Sequence, residues 1–151
     1  MEVSVVIPNY NGIAFLDSVL ASLEGQTLKN FEVIFVDNGS SDGSCSFVAG
    51  NYPWVHIIEL PENYGFCKAV NEGIKASRAP YVLLLNNDTE VKEDFLEEMV
   101  AAIRRHKRAF SCAARMCSIM TETAWMMQAI STMHLAGLCE RQVQDIHTYE
   151  K

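Results

Sequence analysis

The sequence predicts an α/β fold, a mostly parallel sheet with helices on both faces. Two observations predict it. Strand-sized apolar runs alternate with stretches of helical period as far as about Met116. Nearly every such run also closes on a cluster of Asn, Asp, Gly or Pro, as the ends of parallel strands do. Composition agrees: 49% hydrophobic and 21% charged residues are the proportions of an ordered globular domain.

Taken in order, Val3–Ile7 reads as a buried strand closed by Pro8. Gly12–Leu23 is helical, with Ile13, Leu16, Val19, Leu20 and Leu23 on one stripe and Gly25 as its stop. Phe31–Val36 is a second strand, and Asp37–Gly43 a turn cluster leading to a short helix from Asp42 to about Gly50. Val55–Leu60 is a third strand. Phe66–Ala76 is a helix with Ala69, Val70, Gly73 and Ile74 on one face. Tyr81–Leu85 is the most apolar strand. Glu93–His106 is an amphipathic helix with Phe95, Leu96, Met99, Val100 and Ile103 inward, and Ala109–Ala114 a fifth strand. Right-handed crossovers distribute such helices over both faces, a Rossmann-like arrangement.

The rhythm stops after Met116, so residues 1–116 form one domain and 117–151 an atypical tail, irregular or helical. Ile119–Leu138 admits a helical reading because Ala, Met, Gln and Glu favour helices. The abrupt change reads as an unrelated extension or a shifted frame. Methionines adapt to irregular apolar surfaces, so Met116–Leu138 is expected to cover an open sheet edge or to join copies into a homo-oligomer.

The formal net charge of −7 argues against nucleic acid as a partner. It also means that an anionic ligand needs a cation or backbone donors at its site. No run approaches the ~20 apolar residues of a membrane span. The segment Met1–Val5 has no basic region or long apolar core, so it does not read as a secretory signal. Five cysteines without a C-x-x-C pair read as free thiols. The expected location is cytoplasmic, at most peripheral to the inner face of the membrane. The basic run Arg104, Arg105, Lys107 and Arg108 reads as a solvated helix C-terminus.

Ligands of open parallel sheets bind beyond the carboxyl ends of the strands. Four loops lie at that edge: Pro8–Asn11, Asp37–Asp42, Pro61–Gly65 and Asn86–Asp88. Their residues, Val5–Asn11, Val33–Gly43, Asn63-Tyr64-Gly65 with Ala69, Asn71 and Gly73, and Leu83–Asp88, resemble in order and spacing the nucleotide-binding half of the glycosyltransferase family 2, GT-A fold.

The resemblance implies a role for each position. Pro8, Tyr10 and Asn11 would cradle base and ribose, with Tyr10 stacking; otherwise Tyr10 caps the sheet edge. Asp37 would accept a hydrogen from the base, typically uracil or thymine; otherwise it bonds the Gly39 and Ser40 amides as a turn-former. Asp42 reads better as a helix cap than as a ligand contact. Asn86-Asn87-Asp88 aligns with the family's Asp-x-Asp motif. Asp88 would hold Mg²⁺ or Mn²⁺ on the diphosphate and Asn86 would bond the ribose; otherwise Asp88 caps the next helix. Gly65 would allow close approach, with Asn63 beside it. Lys68 and Asn71, one turn apart, would meet diphosphate or sugar, against a surface role for Lys68.

The implied partners are a UDP- or dTDP-linked sugar and a glycan or lipid-linked acceptor. The Asn-Asn-Asp form resembles rhamnosyltransferases. The implied reaction is inverting transfer to a hydroxyl. No residue after Met116 stands where the family's catalytic base is recognisable, so a nucleotide-sugar-binding module without transferase activity is the alternative.

Overall fold

The computed structural model describes residues 1–106, 108–114 and 132–135. Its elements run β1 (Val3–Asn9), α1 (Ile13–Glu24), β2 (Phe31–Asp37), α2 (Ser44–Asn51), β3 (His56–Glu59), α3 (Phe66–Ala76), β4 (Tyr81–Leu84), α4 (Phe95–Arg105), β5 (Ser111–Ala113) and β6 (Thr132–Leu135). The sheet order is β3-β2-β1-β4-β6-β5. Strands β1 to β4 are mutually parallel; β6 runs antiparallel to both β4 and β5.

Strand alternation divides the core into two layers. Odd-numbered residues Val3, Val5, Ile7, Val33, Phe35, Leu83 and Leu85 pack with Leu16, Val19, Leu20 and Leu23 of α1, Val48 of α2, and Leu96, Met99, Val100 and Ile103 of α4. Even-numbered Val6, Ile34, Val36 and Val82 pack with Ala69 of α3. Both faces are therefore covered, as the alternating runs predict. α3 lies so close to β1 that a Cβ on Gly73 would meet Val6 Cγ1. Each fully buried Leu or Val contributes about 1.5–3 kcal/mol.

The stretch between β4 and α4 is bound by its backbone to the end of α1 and the turn that follows it. Gln26, fully buried, donates from Nε2 to Lys92 O (2.7 Å) and Ser22 O (3.0 Å) and accepts from Leu96 N (2.9 Å). Val91 N donates to Ser22 Oγ, and Thr27 N to Glu93 O. α4 has no side-chain cap of its own at Asp94, so Gln26 satisfies one of its first-turn amides from another helix.

The helical reading of Ile119–Leu138 gives way at Thr132–Leu135, which is a strand. Helix propensity is a weak prior, and the open side of β4 offers an unpaired ladder that a strand completes. The cover expected from Met116–Leu138 is thus supplied at these four residues by β6, within the sheet. The rest of 117–151, and with it the proposed self-association, lies outside the described residues.

Candidate functional site

Strand order turns back between β1 and β4: β2 and β3 lie on one side of β1, and β4 on the other. Crevices at such a switch point are where open α/β sheets bind ligands. A cleft of about 440 Å³ lies there, within the range of small-molecule sites. Pro8, Asn9 and Tyr10 line it from the end of β1, and Asn38 from the end of β2. Asn63, Gly65, Phe66 and Ala69 line it from the approach to α3 and its first turn, and Asn86, Asn87 and Asp88 from the end of β4. Gly65 precedes α3 with φ +85°; its own N donates to Asn63 Oδ1 (2.9 Å), and the first turn of α3, which lines the cleft at Phe66 and Ala69, has no side-chain cap.

The loops are tied to one another by amides. Asn87 Nδ2 donates to Asn9 Oδ1 (2.7 Å), and Asn9 Nδ2 to Asp37 Oδ1 (2.9 Å). Ser40 donates to Asp37 from its backbone N (2.8 Å) and from Oγ (2.6 Å). Asn11, at φ +50°, donates from N to Ser40 Oγ and accepts from Ser41 N. On the other side Asn38 Nδ2 donates to Asn63 Oδ1, and Asn38 Oδ1 accepts from Tyr64 N. Among the described residues no buried side-chain polar atom lacks a partner.

Of the residues singled out by sequence, Pro8, Tyr10, Asn63, Gly65, Asn86 and Asp88 line the cleft. Asn11, Asp37, Lys68 and Asn71 do not. Asp37 is 3% exposed and turns with Val33 and Phe35 toward the α1 layer, where Asn9 and Ser40 occupy it. Its neighbour Asn38 reaches the cleft instead. Lys68 pairs with Glu72 at 2.7 Å along the exposed side of α3. Asn9, Asn38, Phe66, Ala69 and Asn87 went unassigned in the sequence; strand alternation carried past Val36 is the signal that places Asn38.

Two helix-cap readings resolve differently. Asp42 accepts from Ile13 N (2.9 Å) and Ser44 N (3.0 Å), the first residues of α1 and α2. Desolvation works against its charge, but hydrogen bonds from Ser44 Oγ and these amides outweigh it and hold the carboxyl below its usual range. Asp88 caps nothing: α4 starts at Phe95. Burial, with Asp37 and Glu59 nearby, pushes the Cys45 thiol up to about 12, so it stays protonated at neutral pH.

Asp88 is the one acidic or basic side chain among the described residues that line the cleft. No group of three or more His, Cys, Asp or Glu among the described residues is placed to hold a metal. A single carboxylate fits a hard cation only when phosphate and water complete its oxygen shell. Among the described residues no helix is long and apolar enough to cross a membrane.

The sequence profile of "Glycosyl transferase family 2" matches residues 4–147. The chain belongs to this family. The match runs past Met116 through most of the stretch that its pattern sets apart. Glycosyltransferase GlyG of Streptococcus pneumoniae is 30% identical over 105 residues, 68% of this chain and 35% of that protein. An uncharacterized Escherichia coli glycosyltransferase, YibD, is 32% identical over 138 residues, 89% of this chain and 39% of its own length. The chain thus spans well under half of these relatives. Among solved structures, S. aureus TarS 1-349 in complex with UDP-GlcNAc superimposes with TM-score 0.82 at 20% identity, over 93% of this chain and 47% of that one. The Pyrobaculum calidifontis mannosyltransferase PcManGT, in complex with GDP-Man and Mn²⁺, does so with TM-score 0.78 at 21% identity, over 93% and 46%. At these identities the structures establish the fold.

Proposed function

We propose that these residues form the donor site of a glycosyltransferase that moves a sugar from a nucleoside diphosphate to an acceptor hydroxyl with inversion. The observation that carries this reading is the switch-point cleft, built from the loops after all four parallel strands and holding one carboxylate, Asp88. A lone acid beside a diphosphate repels it unless a cation lies between them. Asp88 would hold Mg²⁺ or Mn²⁺, with the Asn86 amide on the ribose. The cation, when bound, neutralises the diphosphate as leaving group.

This chain's own residues bind and orient. The first turn of α3, from Phe66 on, has no side-chain cap and offers its amides and the positive end of its dipole to phosphate oxygens, while Gly65 N is held by Asn63 Oδ1. Tyr10, 51% exposed, gives the base a face to stack on. Asn38 retains an amide proton and a carbonyl lone pair, so it can meet both a donor and an acceptor on a base edge. In the transfer, the acceptor oxygen bonds to the anomeric carbon as the bond from that carbon to the diphosphate oxygen breaks. The hydroxyl proton passes to a base. A UDP- or dTDP-linked donor, with rhamnose as the dTDP-linked sugar, a glycan or lipid-linked acceptor, and a place at the cytoplasmic face of the membrane belong to the same proposal.

A second reading, binding without transfer, is favoured by the single carboxylate among the described residues that line the cleft. If Asp88 is committed to the cation, no other carboxylate lining the cleft among the described residues can take the proton. Titration of the purified protein with UDP- and dTDP-sugars, with and without Mn²⁺, separates the readings when nucleoside diphosphate release is followed in parallel. Metal-dependent binding with acceptor-dependent release supports transfer. Binding without release supports the module, and no binding of any nucleotide overturns both. Asp88→Ala is expected to abolish the metal dependence and leave the melting temperature unchanged.

A further inference from the structure

The amides beneath the cleft are wired in one direction. Asp37 can only accept, so Asn9 must turn its NH₂ group toward it. Asn9 then presents its oxygen to residue 87, and residue 87 must be a donor. Asn satisfies this; an acid at 87 would set oxygen against oxygen. The polarity of Asn87 is therefore dictated by the charge on Asp37, two hydrogen bonds away.

The relay has no room to rearrange. Asn9 and Asp37 are 2% and 3% exposed. A Cβ on Gly12 would land on Asn87 Nδ2 and Asn9 Oδ1, so the bond fills the space above that glycine. The backbone of Asn9 holds the other side of the cleft: its carbonyl accepts from Asn38 N at 2.8 Å. Asn9 thus touches both the loop that brings Asn38 and the turn that brings Asn86 and Asp88.

We propose that Asn9 is a positioning residue for the donor site. Through Asn87 it holds the Asn86–Asp88 turn in register with Asn38, so that Asp88 meets the cation on the nucleotide only while the relay is intact. This rests on the nucleotide-binding reading above. It makes the middle Asn of the Asn-Asn-Asp motif a fastener and the outer two the ligand-facing residues.

The test is calorimetric titration with UDP and dTDP, with and without Mn²⁺, on four proteins. Wild type gives the gain in affinity due to Mn²⁺. Asn87→Ala leaves Asn9 Oδ1 at the cleft wall, where water reaches it. It is expected to lose most of the Mn²⁺ gain, a larger fold-loss than it causes in metal-free affinity. A merely structural role would weaken both affinities alike. Asn9→Asp sets two carboxylates together in a buried place and is expected to weaken binding about tenfold or more.

Asn9→Asp with Asp37→Asn reverses the polarity of that bond. Asn at 37 donates to Asp at 9, which still accepts from Asn87, and Ser40 N keeps its acceptor. The pair is expected to restore binding and the Mn²⁺ gain to within about threefold of wild type. A full Mn²⁺ gain in Asn87→Ala, or a double variant no better than Asn9→Asp alone, overturns the proposal. If Asn9→Asp does not fold, Asn87→Ala decides. A wild type that binds neither nucleotide overturns the donor-site reading and takes this proposal with it; wild-type binding with failed variants overturns the relay alone.

Discussion

Gln26 joins three pieces of chain that the site depends on, and its removal has a calculable cost. In Gln26→Leu the side-chain volume is nearly conserved, so the loss is polar. The Leu96 N–H loses its acceptor in a buried place, a penalty of about 1–3 kcal/mol. Lys92 O keeps a bond from Phe95 N but loses the one from Gln26, and Ser22 O loses its own, about 1 kcal/mol each. The sum, roughly 3–5 kcal/mol, is a large part of the ~5–15 kcal/mol that domains possess. At ~2–4 °C per kcal/mol for a chain of this size, the melting temperature falls by roughly 10 °C in calorimetry.

Gln26→Glu is the control. One carboxylate oxygen still accepts from Leu96 N, while the other faces the carbonyls of Lys92 and Ser22 and favours the protonated form. The folded pKa of this Glu therefore rises above its unfolded value. Its stability is full below the unfolded pKa and is lost as pH rises through the folded one. The gap to wild type is expected to be small near about pH 5 and larger near about pH 8. A Gln26→Leu protein melting within about 2 °C of wild type, or a Gln26→Glu gap that ignores pH, refutes the reasoning.

Other substitutions probe the rest of the site. Gly12→Ala meets no backbone obstacle at φ −109°, but its Cβ displaces the Asn9–Asn87 bond; about 2–4 kcal/mol of destabilisation in urea titration is expected, with lost Mn²⁺ dependence of nucleotide binding. Asp42 has a depressed folded pKa, so its contribution is present above the unfolded value and is lost as pH falls through the folded one. Asp42→Asn should accordingly flatten the acid limb of urea midpoints below about pH 4, and an unchanged limb counts against the double cap. Lys68→Ala removes an exposed pair with Glu72 and should shift stability by under about 1 kcal/mol. Nucleotide affinity unchanged in that variant assigns Lys68 to the surface, while a tenfold loss returns it to the diphosphate.

The parallel sheet was legible because its strands are buried on both faces and read as near-continuous apolar runs, Val5–Ile7 and Val33–Val36 above all. Helix α4 was found to within two residues because its stripe of Leu96, Met99, Val100 and Ile103 is strict. β6 was missed for a physical reason. Four residues with one β-branched side chain carry no period of their own, and their state is set by the unpaired edge of β4, far away in sequence. Gln26 was equally invisible: a polar residue after a helix reads as surface until α4 is packed over it.

The asparagines show how much of the site lies between these extremes. Nothing in their chemistry distinguishes Asn9 from Asn86, or Asn87 from Asn38. Alternation along the strands does, continued past the last ladder bonds. The odd-numbered residues follow Ile7, Phe35 and Leu85 toward α1: Asn9, Asn11, Asp37 and Asn87 all bond across to a neighbouring loop. The even-numbered residues Pro8, Tyr10, Asn38, Asn86 and Asp88 line the cleft, as Asn9 and Asn87 also do, and Asn38 in addition ties its loop to Asn63 and Tyr64. Alternation thus turns the odd set toward α1, where all four bond across loops, and leaves the even set on the cleft side, where Asn38 does both. The acid at 37 therefore only fastens, although it is the more conspicuous residue, whereas the amide at 38 both fastens and lines the cleft. On the relay proposed above, the charge of Asp37 reaches the ligand only through the direction it imposes on Asn9 and Asn87.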